Sequence, residues 1–293
     1  MKTFPRLLAG AALGLGAAWA LRGAGAPAPA GPPRAFRIPS LYHAGFWIRD
    51  LAKTRAFYKD FLGYEEPYAL NFPDGKLQLV IMKVSERQVI YLFPNAAKIL
   101  PNGDNLDHLG LETDNAAALC DYLLAKGVKV APPKRGRIGD LLLGVRDPDG
   151  HPFEVTQFEP EGQLRRHAGL SLAAGRISGH LRSISISVSD PAASRRFYGD
   201  ILGFRELAPD GGPVRLQVPD GTDYLVLLPA ERGARAVPEY CLAVPDAARA
   251  AAILAARSTA AGTPPPAPVT IGRDGRRQTS CVDPDGTRVV LSE

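Results

Sequence analysis

Cysteine and histidine are scarce in this chain, and their positions limit what it can do. Cys120, Cys241 and Cys281 are the only cysteines, and three are too few for a disulfide framework. Each lies in an apolar segment, so we interpret them as small buried hydrophobic residues. The five histidines all lie at or before His180. The chain beyond that residue therefore cannot build a site of its own from histidine ligands.

The chain also lacks a strong charge bias. Its net charge is +5, and Lys2, Arg6 and Arg22 contribute to it from the first thirty residues. One short basic cluster, KRGR at residues 134–137, lies in a loop rich in proline and glycine and accompanies no nucleic-acid motif. We interpret it as solvated charge, with an anion contact for a substrate as the alternative. We expect no nucleic-acid partner.

The longest apolar run is too short for a typical membrane span. It extends from Leu7 to Leu21, whereas a spanning helix needs about 20 residues. Lys2 and Arg6 precede it, and Ala-Pro-Ala follows at residues 28–30, a pattern typical of a secretory signal peptide. We predict that residues 1–30 are a signal peptide and that the protein is exported to the periplasm or the extracellular space. The alternative is an uncleaved N-terminal anchor; no other membrane contact is expected.

What the chain does contain is an internal repeat. The segment DLAKTRAFYKDFLGYEE, which begins at Asp50, is similar to DPAASRRFYGDILGFRE, which begins at Asp190. Later, RDPDGHPFEV at residues 146–155 is echoed by VDPDGTRVVL at residues 282–291. A chain of 293 residues exceeds one typical domain of about 100 to 200 residues. We therefore predict two related domains, residues 38–158 and 180–293, joined by a Gly/Ala-rich linker at residues 159–179.

Each domain contains two units of one plan, in which a strand and a helix are followed by several strands. Asp50 is the predicted N-cap of the first helix, and Gly63 ends that helix. The strands in the first domain are predicted where β-branched and aromatic residues are dense and turn residues bound the runs. The predicted strands cover residues 41–49, 77–84, 87–93, 107–113, 140–146 and 152–158, and the helices residues 50–61 and 115–126. The pattern is typical of an α+β fold.

These residues resemble the vicinal oxygen chelate superfamily, which includes glyoxalases, extradiol ring-cleaving dioxygenases and bleomycin-resistance proteins. The resemblance is carried, in chain order, by His43 seven residues before Asp50, RAFYKDFLGY, His108 in DHLGLETD, KGVKV at residues 126–130, and DPDGHPFEV. A weaker copy spans the second domain. The resemblance implies tandem glyoxalase-like domains, each of two paired βαβββ units that form a curled mixed sheet around a cup.

In that family the cup holds a divalent metal, and the resemblance places ligands at His43, His108 and Glu154. Alternation along the strands agrees, because His43, Gly45 and Trp47 share one face while the aliphatic residues of that strand share the other. The resemblance implies a fourth ligand, a glutamate, in the strand before Pro94, but this sequence has Tyr91 there. Two histidines and one carboxylate are typical of non-haem Fe(II) oxygenases.

The second domain loses these ligands. With the same spacing to Asp190 and Asp246, Ser183 and Tyr240 take the positions of His43 and His108, and counting from the second DPDG places Val290 at that of Glu154. Hydroxyl and aliphatic side chains do not make a comparable ligand set. We expect this domain to be architectural, covering a sheet edge or one side of the cup.

Three functions remain open at this point. The leading hypothesis is a metal-dependent enzyme, dioxygenase-like, that uses Fe(II) or Mn(II) and a small substrate with two adjacent oxygens, for which an aromatic molecule is one candidate. Zn(II) or Ni(II) would suit the alternative, a glyoxalase-type lyase or isomerase, and the third hypothesis is a resistance-type protein that only binds a small molecule. Tyr91 is the predicted catalytic group, either as a hydrogen-bonding group to the substrate or as a packed strand residue. The sequence does not decide between a monomer and a homodimer.

Overall fold

The structure, a computed structural model, describes residues 34–207, 212–230, 238–272 and 274–293. The predicted signal peptide, residues 1–30, lies outside the described residues. Within the described part of the chain, no helix is long and apolar enough to cross a membrane.

Two eight-stranded mixed sheets form the framework. The first has the order β2-β3-β4-β1-β5-β8-β7-β6 and the second β10-β11-β12-β9-β13-β16-β15-β14. The strands of the first sheet are β1 Leu41–Ile48, β2 Ala69–Asn71, β3 Leu77–Lys83, β4 Val89–Pro94, β5 Leu106–Thr113, β6 Lys134–Arg135, β7 Leu141–Arg146 and β8 Pro152–Gln157. Those of the second sheet are β9 Leu181–Val188, β10 Arg205–Glu206, β11 Val214–Gln217, β12 Tyr224–Pro229, β13 Glu239–Ala243, β14 Thr270–Ile271, β15 Arg277–Val282 and β16 Arg288–Ser292.

The predicted α+β fold of tandem domains, each of two paired βαβββ units, is confirmed. In each sheet the first strands of the two units are antiparallel neighbours, as β1 and β5 are in the first sheet. Each of these strands is also parallel to the last strand of its own unit. The sequence analysis missed the short edge strands β2 and β6, because two or three residues carry too little pattern to predict a strand.

All the α-helices named below except α3 begin at a side-chain cap. They are α1 Leu51–Arg55 with a π-helical turn Ala56–Phe61, α2 Ala116–Ala125, α3 Gln163–Arg166, α4 Pro191–Arg195 with a π-helical turn Arg196–Ile201, and α5 Ala247–Ala261. Asp50 accepts hydrogen bonds from the N–H groups of Ala52 and Lys53, as predicted for an N-cap. The π-helical turn buries the adjacent Phe57 and Tyr58 together.

One hydrophobic core extends through both domains. The face of β1 that carries Ala44, Phe46 and Ile48 packs in the same cluster as Ile184 and Ile186 of β9. The second domain therefore covers the helix-side face of the first sheet, the face opposite His43. The expectation that it covers one side of the cup is not what this packing shows.

Both DPDG turns make polar contacts between the domains. The hydroxyl of Tyr58 donates to Asp283 at 3.3 Å, and that of Tyr198 donates to Asp147 at 3.0 Å. The N–H of Arg49 donates to Asp285 at 2.9 Å. Each DPDG turn thus contacts the FY segment of the first helix in the other domain. This reciprocal contact explains why the FY and DPDG segments occur together in both repeats.

Asp283 makes the stability of this interface depend on pH. The side chain is 4% exposed, and its burial raises the pKa of its carboxyl to about 6. The folded protein holds the proton of the Asp283 carboxyl more tightly than the unfolded chain does, where the pKa is about 3.9. The contribution of this carboxyl to stability therefore falls as pH rises from about 4 to about 6. The raised pKa corresponds to roughly 3 kcal/mol of unfolding free energy lost over this range.

We expect Asp283→Asn to flatten this part of the profile of unfolding free energy against pH, measured by urea denaturation between pH 4 and 8. The amide oxygen can still accept from the N–H groups of Asp285 and Thr287, which now bond to the carboxylate. Asp121→Asn, at an exposed position of α2, is the control and should keep the wild-type profile. Parallel profiles for wild type and Asp283→Asn would contradict this role of the carboxyl.

Candidate metal centre

The centre is built on the pairing of two His-x-Gly tripeptides. In the antiparallel register of β1 and β5, His43 lies opposite Gly110 and Gly45 lies opposite His108. A Cβ atom at Gly110 would lie 2.1 Å from Nδ1 of His43, and one at Gly45 would lie 3.1 Å from the His108 ring. Each imidazole therefore occupies the space that the opposite glycine leaves free, and the ring centroids are 4.6 Å apart.

His43 is the buried ligand of the pair. Its exposure is 0%, and both ring nitrogens lack a hydrogen-bond partner among the described residues. Burial lowers the pKa of His43 well below its ordinary value, and the neighbouring His108 lowers it further. The ring is therefore neutral and presents a lone pair, as metal binding requires. Buried polar nitrogens without partners are costly, and an ion would satisfy one of them.

Two β-bulges add a polar neighbour to each histidine. The register shifts between Leu41 and His43, and the side chain of Tyr42 lies in the cup, with its ring 4.2 Å from that of His43. The second shift, opposite Gly45 and Phe46, places Asp107 beside His108, with Oδ2 2.6 Å from Nδ1. This contact leaves Nε2 of His108 for the centre. Strict alternation along the strands could not predict either neighbour.

Glu154 enters from β8, where it lies opposite Gly110 of β5 and Gly144 of β7. The hydroxyl of Tyr42 donates to its Oε1 at 3.1 Å and lies 2.7 Å from the hydroxyl of Thr156. Tyr42 therefore orients the carboxylate, a role that sequence reasoning missed. The signal available in the sequence is only that Tyr42 and Asp107 each precede a ligand histidine.

The structure brings the three predicted ligands together. One donor atom each of His43, His108 and Glu154 lies within 4.8 Å of the others. Two imidazole nitrogens and one carboxylate oxygen are a donor set that divalent transition metals prefer. With the unpartnered nitrogens of His43 and the oriented carboxylate, these residues fit a metal ion.

Tyr91 lies on β4 opposite Gly45, beside the three donors. Its ring centroid is 4.4 Å from that of His43, and its hydroxyl has no hydrogen-bond partner among the described residues. Burial raises the pKa of Tyr91 well above its ordinary value. A neutral phenol here cannot replace the carboxylate ligand that the resemblance implies at this place.

A cleft connects the centre to solvent. Its volume is about 1120 Å³, and it reaches His108 and Glu154 past Gly144, whose added Cβ would meet no atom within 4 Å. The opposite end of the cup is closed by aromatic and aliphatic side chains and by Leu164 of α3. His108 and Glu154 are therefore reached from the side of β7 and β8.

The sequence matches the family model of the Glyoxalase/Bleomycin resistance protein/Dioxygenase superfamily over residues 40–155 and 179–291. The chain belongs to this superfamily. It is 31% identical to a probable lactoylglutathione lyase of Synechocystis sp. over 125 residues, 40% of this chain and 94% of the relative. It is 33% identical to an iron-dependent extradiol dioxygenase of Rhodococcus jostii over 174 residues, 54% of this chain and 55% of the relative.

Solved structures show the same fold at low sequence identity. The Mn(II)-bound glyoxalase of Novosphingobium aromaticivorans has a TM-score of 0.63 and 18% identity, covering 88% of this chain and 82% of that one. A variant of homoprotocatechuate 2,3-dioxygenase from Brevibacterium fuscum has a TM-score of 0.64 and 17% identity, covering 88% and 72%.

The second domain of this superfamily member has a different cup, and one predicted equivalence is wrong. The register places Glu239, not Tyr240, opposite Ser185, at the position of His108. Equal spacing matches Asp246 with Asp114, whereas the N-cap of α2 that corresponds to Asp246 is Asn115, one residue later. Tyr240 faces the core, where its ring packs 5.7 Å from that of Phe46.

Ser183 and Val290 do occupy the positions predicted for them, as β9 and β16 pair with β13. Glu239 accepts from Arg288 at 2.8 Å and from Ser185 at 3.1 Å. The carboxylate is thus neutralised by an arginine. No metal-ligand cluster of three His, Cys, Asp or Glu side chains occurs in the described residues of this domain.

We expect Gly110→Ala to displace the His43 ring, because its Cβ would overlap the imidazole. The variant should lose about 1 to 3 kcal/mol of unfolding free energy and most of its metal affinity, measured by thermal denaturation and by elemental analysis. Gly144→Ala is the control, because a Cβ at Gly144 would meet no atom within 4 Å. It should change neither the unfolding free energy nor the metal affinity. Normal metal content in Gly110→Ala would show that the reciprocal His–Gly packing is not required.

We expect Tyr42→Phe to weaken metal affinity by about 10- to 100-fold, measured by competition with a chelator, because Glu154 loses the hydroxyl that orients it. Tyr198→Phe is the matched control, since it also removes a tyrosine hydroxyl from a carboxylate, here at the domain interface. That control should lower thermal stability and keep wild-type metal affinity. Equal affinities in both variants would contradict the role of Tyr42.

Proposed function

We propose that this protein is a divalent-metal-dependent enzyme of the superfamily, dioxygenase-like, whose small substrate binds through two adjacent oxygens. The observation that carries the proposal is the cluster of His43, His108 and Glu154, whose donor atoms lie within 4.8 Å of one another, with Tyr91 in place of a fourth ligand. Fe(II) or Mn(II) is favoured, because two histidines and one carboxylate leave positions for oxygen and substrate. Zn(II) and Ni(II) are the alternatives.

The metal would supply Lewis-acid and templating chemistry. The chain itself does the rest. Tyr42 and Asp107 hold two of the ligands in place, and Trp47 and Phe93, whose rings pack 5.1 Å apart on the cup face, offer an apolar surface to an organic substrate. Tyr91, with its unpartnered hydroxyl, donates a hydrogen bond to a substrate oxygen and is the proposed catalytic group.

Two relatives support this proposal. The Rhodococcus jostii relative is named as an iron-dependent extradiol dioxygenase, and the Novosphingobium aromaticivorans structure contains Mn(II). The proposed substrate is a small molecule with vicinal oxygens, such as a catechol. Export to the periplasm or the extracellular space is part of the proposal and is supported by the composition of residues 1–30.

A glyoxalase-type lyase is the second candidate, favoured by the identity to the Synechocystis relative. Tyr91 counts against it, because the four-ligand site of that reaction expects a carboxylate there. A protein that only binds small molecules is a weaker candidate, because it has no need for three converging metal donors. The second domain keeps the same fold without these donors, so packing does not require them. Their presence in the first domain therefore also favours a metal-dependent reaction.

The decisive measurement is elemental analysis of the purified protein after supplementation with Fe(II), Mn(II), Zn(II) or Ni(II). Wild type should bind one metal ion per chain, and His43→Ala should bind none. His180→Ala is the control, because that histidine pairs with Asp223 outside the cluster and should leave the metal content unchanged. A wild type without stoichiometric metal under all four conditions would refute the proposal.

The reaction is then identified with the metal-loaded protein. Oxygen uptake with a panel of catechols is the expected result. Turnover of the methylglyoxal–glutathione hemithioacetal without oxygen uptake would instead select the lyase. Tight binding of catechols without any turnover would select the binding protein.

A further inference from the structure

Three buried polar atoms beside the metal centre have no hydrogen-bond partner among the described residues: the hydroxyls of Tyr68 and Tyr91, and Oδ2 of Asp140. They form one group. Tyr68 packs against the cluster of buried side chains that contains Tyr91, Ile138 and Leu164. Asp140 follows Ile138 by two residues, and its carboxyl lies against Gly162, two residues before Leu164. The group therefore extends from the metal ligands into the closed end of the cup.

The position of Asp140 is set by the protein. Its Oδ1 accepts from the N–H of Glu159 at 2.8 Å, and the carboxyl lies so close to Gly162 that a Cβ there would be 1.9 Å from Oδ1. The residue is 0% exposed. Tyr68 is also held, since its ring stacks on that of His167 at 4.8 Å. The free Oδ2 is therefore a fixed acceptor.

Buried polar groups are rarely left without a hydrogen-bond partner, so three such atoms in one region point to a common partner. Tyr42 also lies in this part of the cup, but its hydroxyl is already bonded to Glu154 and Thr156. The wall of this part of the cup is otherwise apolar and includes Leu79, Ile81, Val89 and Ile138. In such surroundings a hydrogen bond from a ligand is strong, and a mismatch is expensive.

We propose that Tyr68, Tyr91 and Asp140 form a subsite for a hydroxyl group of the substrate, in addition to the two oxygens that bind the metal. This inference rests on the proposed function. A hydroxyl can donate to Oδ2 of Asp140 and accept from a tyrosine hydroxyl at the same time. A carboxylate at this place is repelled by Asp140, and a methyl group leaves all three atoms unsatisfied. Burial raises the pKa of Asp140 to about 6, so the carboxyl is ionised and able to accept at pH 8.

The test measures binding rather than turnover, by isothermal titration calorimetry of the Zn(II)-loaded full chain at pH 8. The probes are 4-methylcatechol, 4-(hydroxymethyl)catechol and 3,4-dihydroxybenzoate. We expect the hydroxymethyl compound to bind about 10- to 100-fold more tightly than the methyl compound, as for a hydrogen bond to a charged acceptor. The benzoate should bind most weakly. In Asp140→Asn the amide oxygen can still accept from the N–H of Glu159. This variant should discriminate less between the hydroxymethyl compound and each of the other two probes.

Tyr68→Phe separates a ligand subsite from a structural role. Removal of an unpartnered buried hydroxyl should raise the melting temperature of the ligand-free protein, while the affinity for the hydroxymethyl compound falls and that for 4-methylcatechol is unchanged. Tyr64→Phe is the matched control, because the Tyr64 hydroxyl is also buried without a partner among the described residues but lies in the helix-side core. It should raise the melting temperature without changing any catechol affinity.

The outcomes separate the two proposals. If wild type and all variants bind the three catechols with equal affinity, the group holds only water and the subsite is refuted, while the proposed function stands. If the metal-loaded protein binds none of them, the proposed function itself fails.

Discussion

The antiparallel pairing of β1 with β5 is the constraint on which the rest of the site depends. Its register sets each histidine against the glycine of the other strand, so that two imidazoles fit side by side where a single added methyl group would collide with one of them. A slip of one strand by one residue would turn its histidine to the core face. The same pairing places Gly110 next to β8, and Glu154 therefore joins the cluster.

The two faces of the first sheet have opposite properties. One lines the cup and carries polar groups, and the other packs in the apolar core. The cup face carries a neutral buried histidine, and the hydroxyls of Tyr68 and Tyr91 and Oδ2 of Asp140 have no partner there among the described residues, all of which costs stability. The helix-side face belongs to a largely apolar core continuous with the second domain. Rigid packing on that face supports a polar site whose geometry must be held closely for metal binding.

The two domains have equivalent residues at their interface but different residues at the positions of the metal ligands. Tyr58 and Asp283, with Tyr198 and Asp147, exchange equivalent hydrogen bonds between helix and turn. In the second cup, by contrast, Glu239 is paired with an arginine. The motifs that identify the family most readily are therefore interface motifs, whereas the scattered His and Glu positions carry the chemistry.

The sequence by itself determined the α+β class, the two-unit plan and the face on which His43, His108 and Glu154 lie, because alternation, capping residues and turn glycines are local properties of the chain. Only the tertiary structure placed Tyr42 and Asp107 beside the ligands, because β-bulges break alternation. It also showed that Glu239, and not Tyr240, is equivalent to His108. The grouping of Tyr68 with Asp140, and the contact of each DPDG turn with the opposite helix, depend on which distant segments pack together, and such nonlocal contacts leave no local pattern in the sequence.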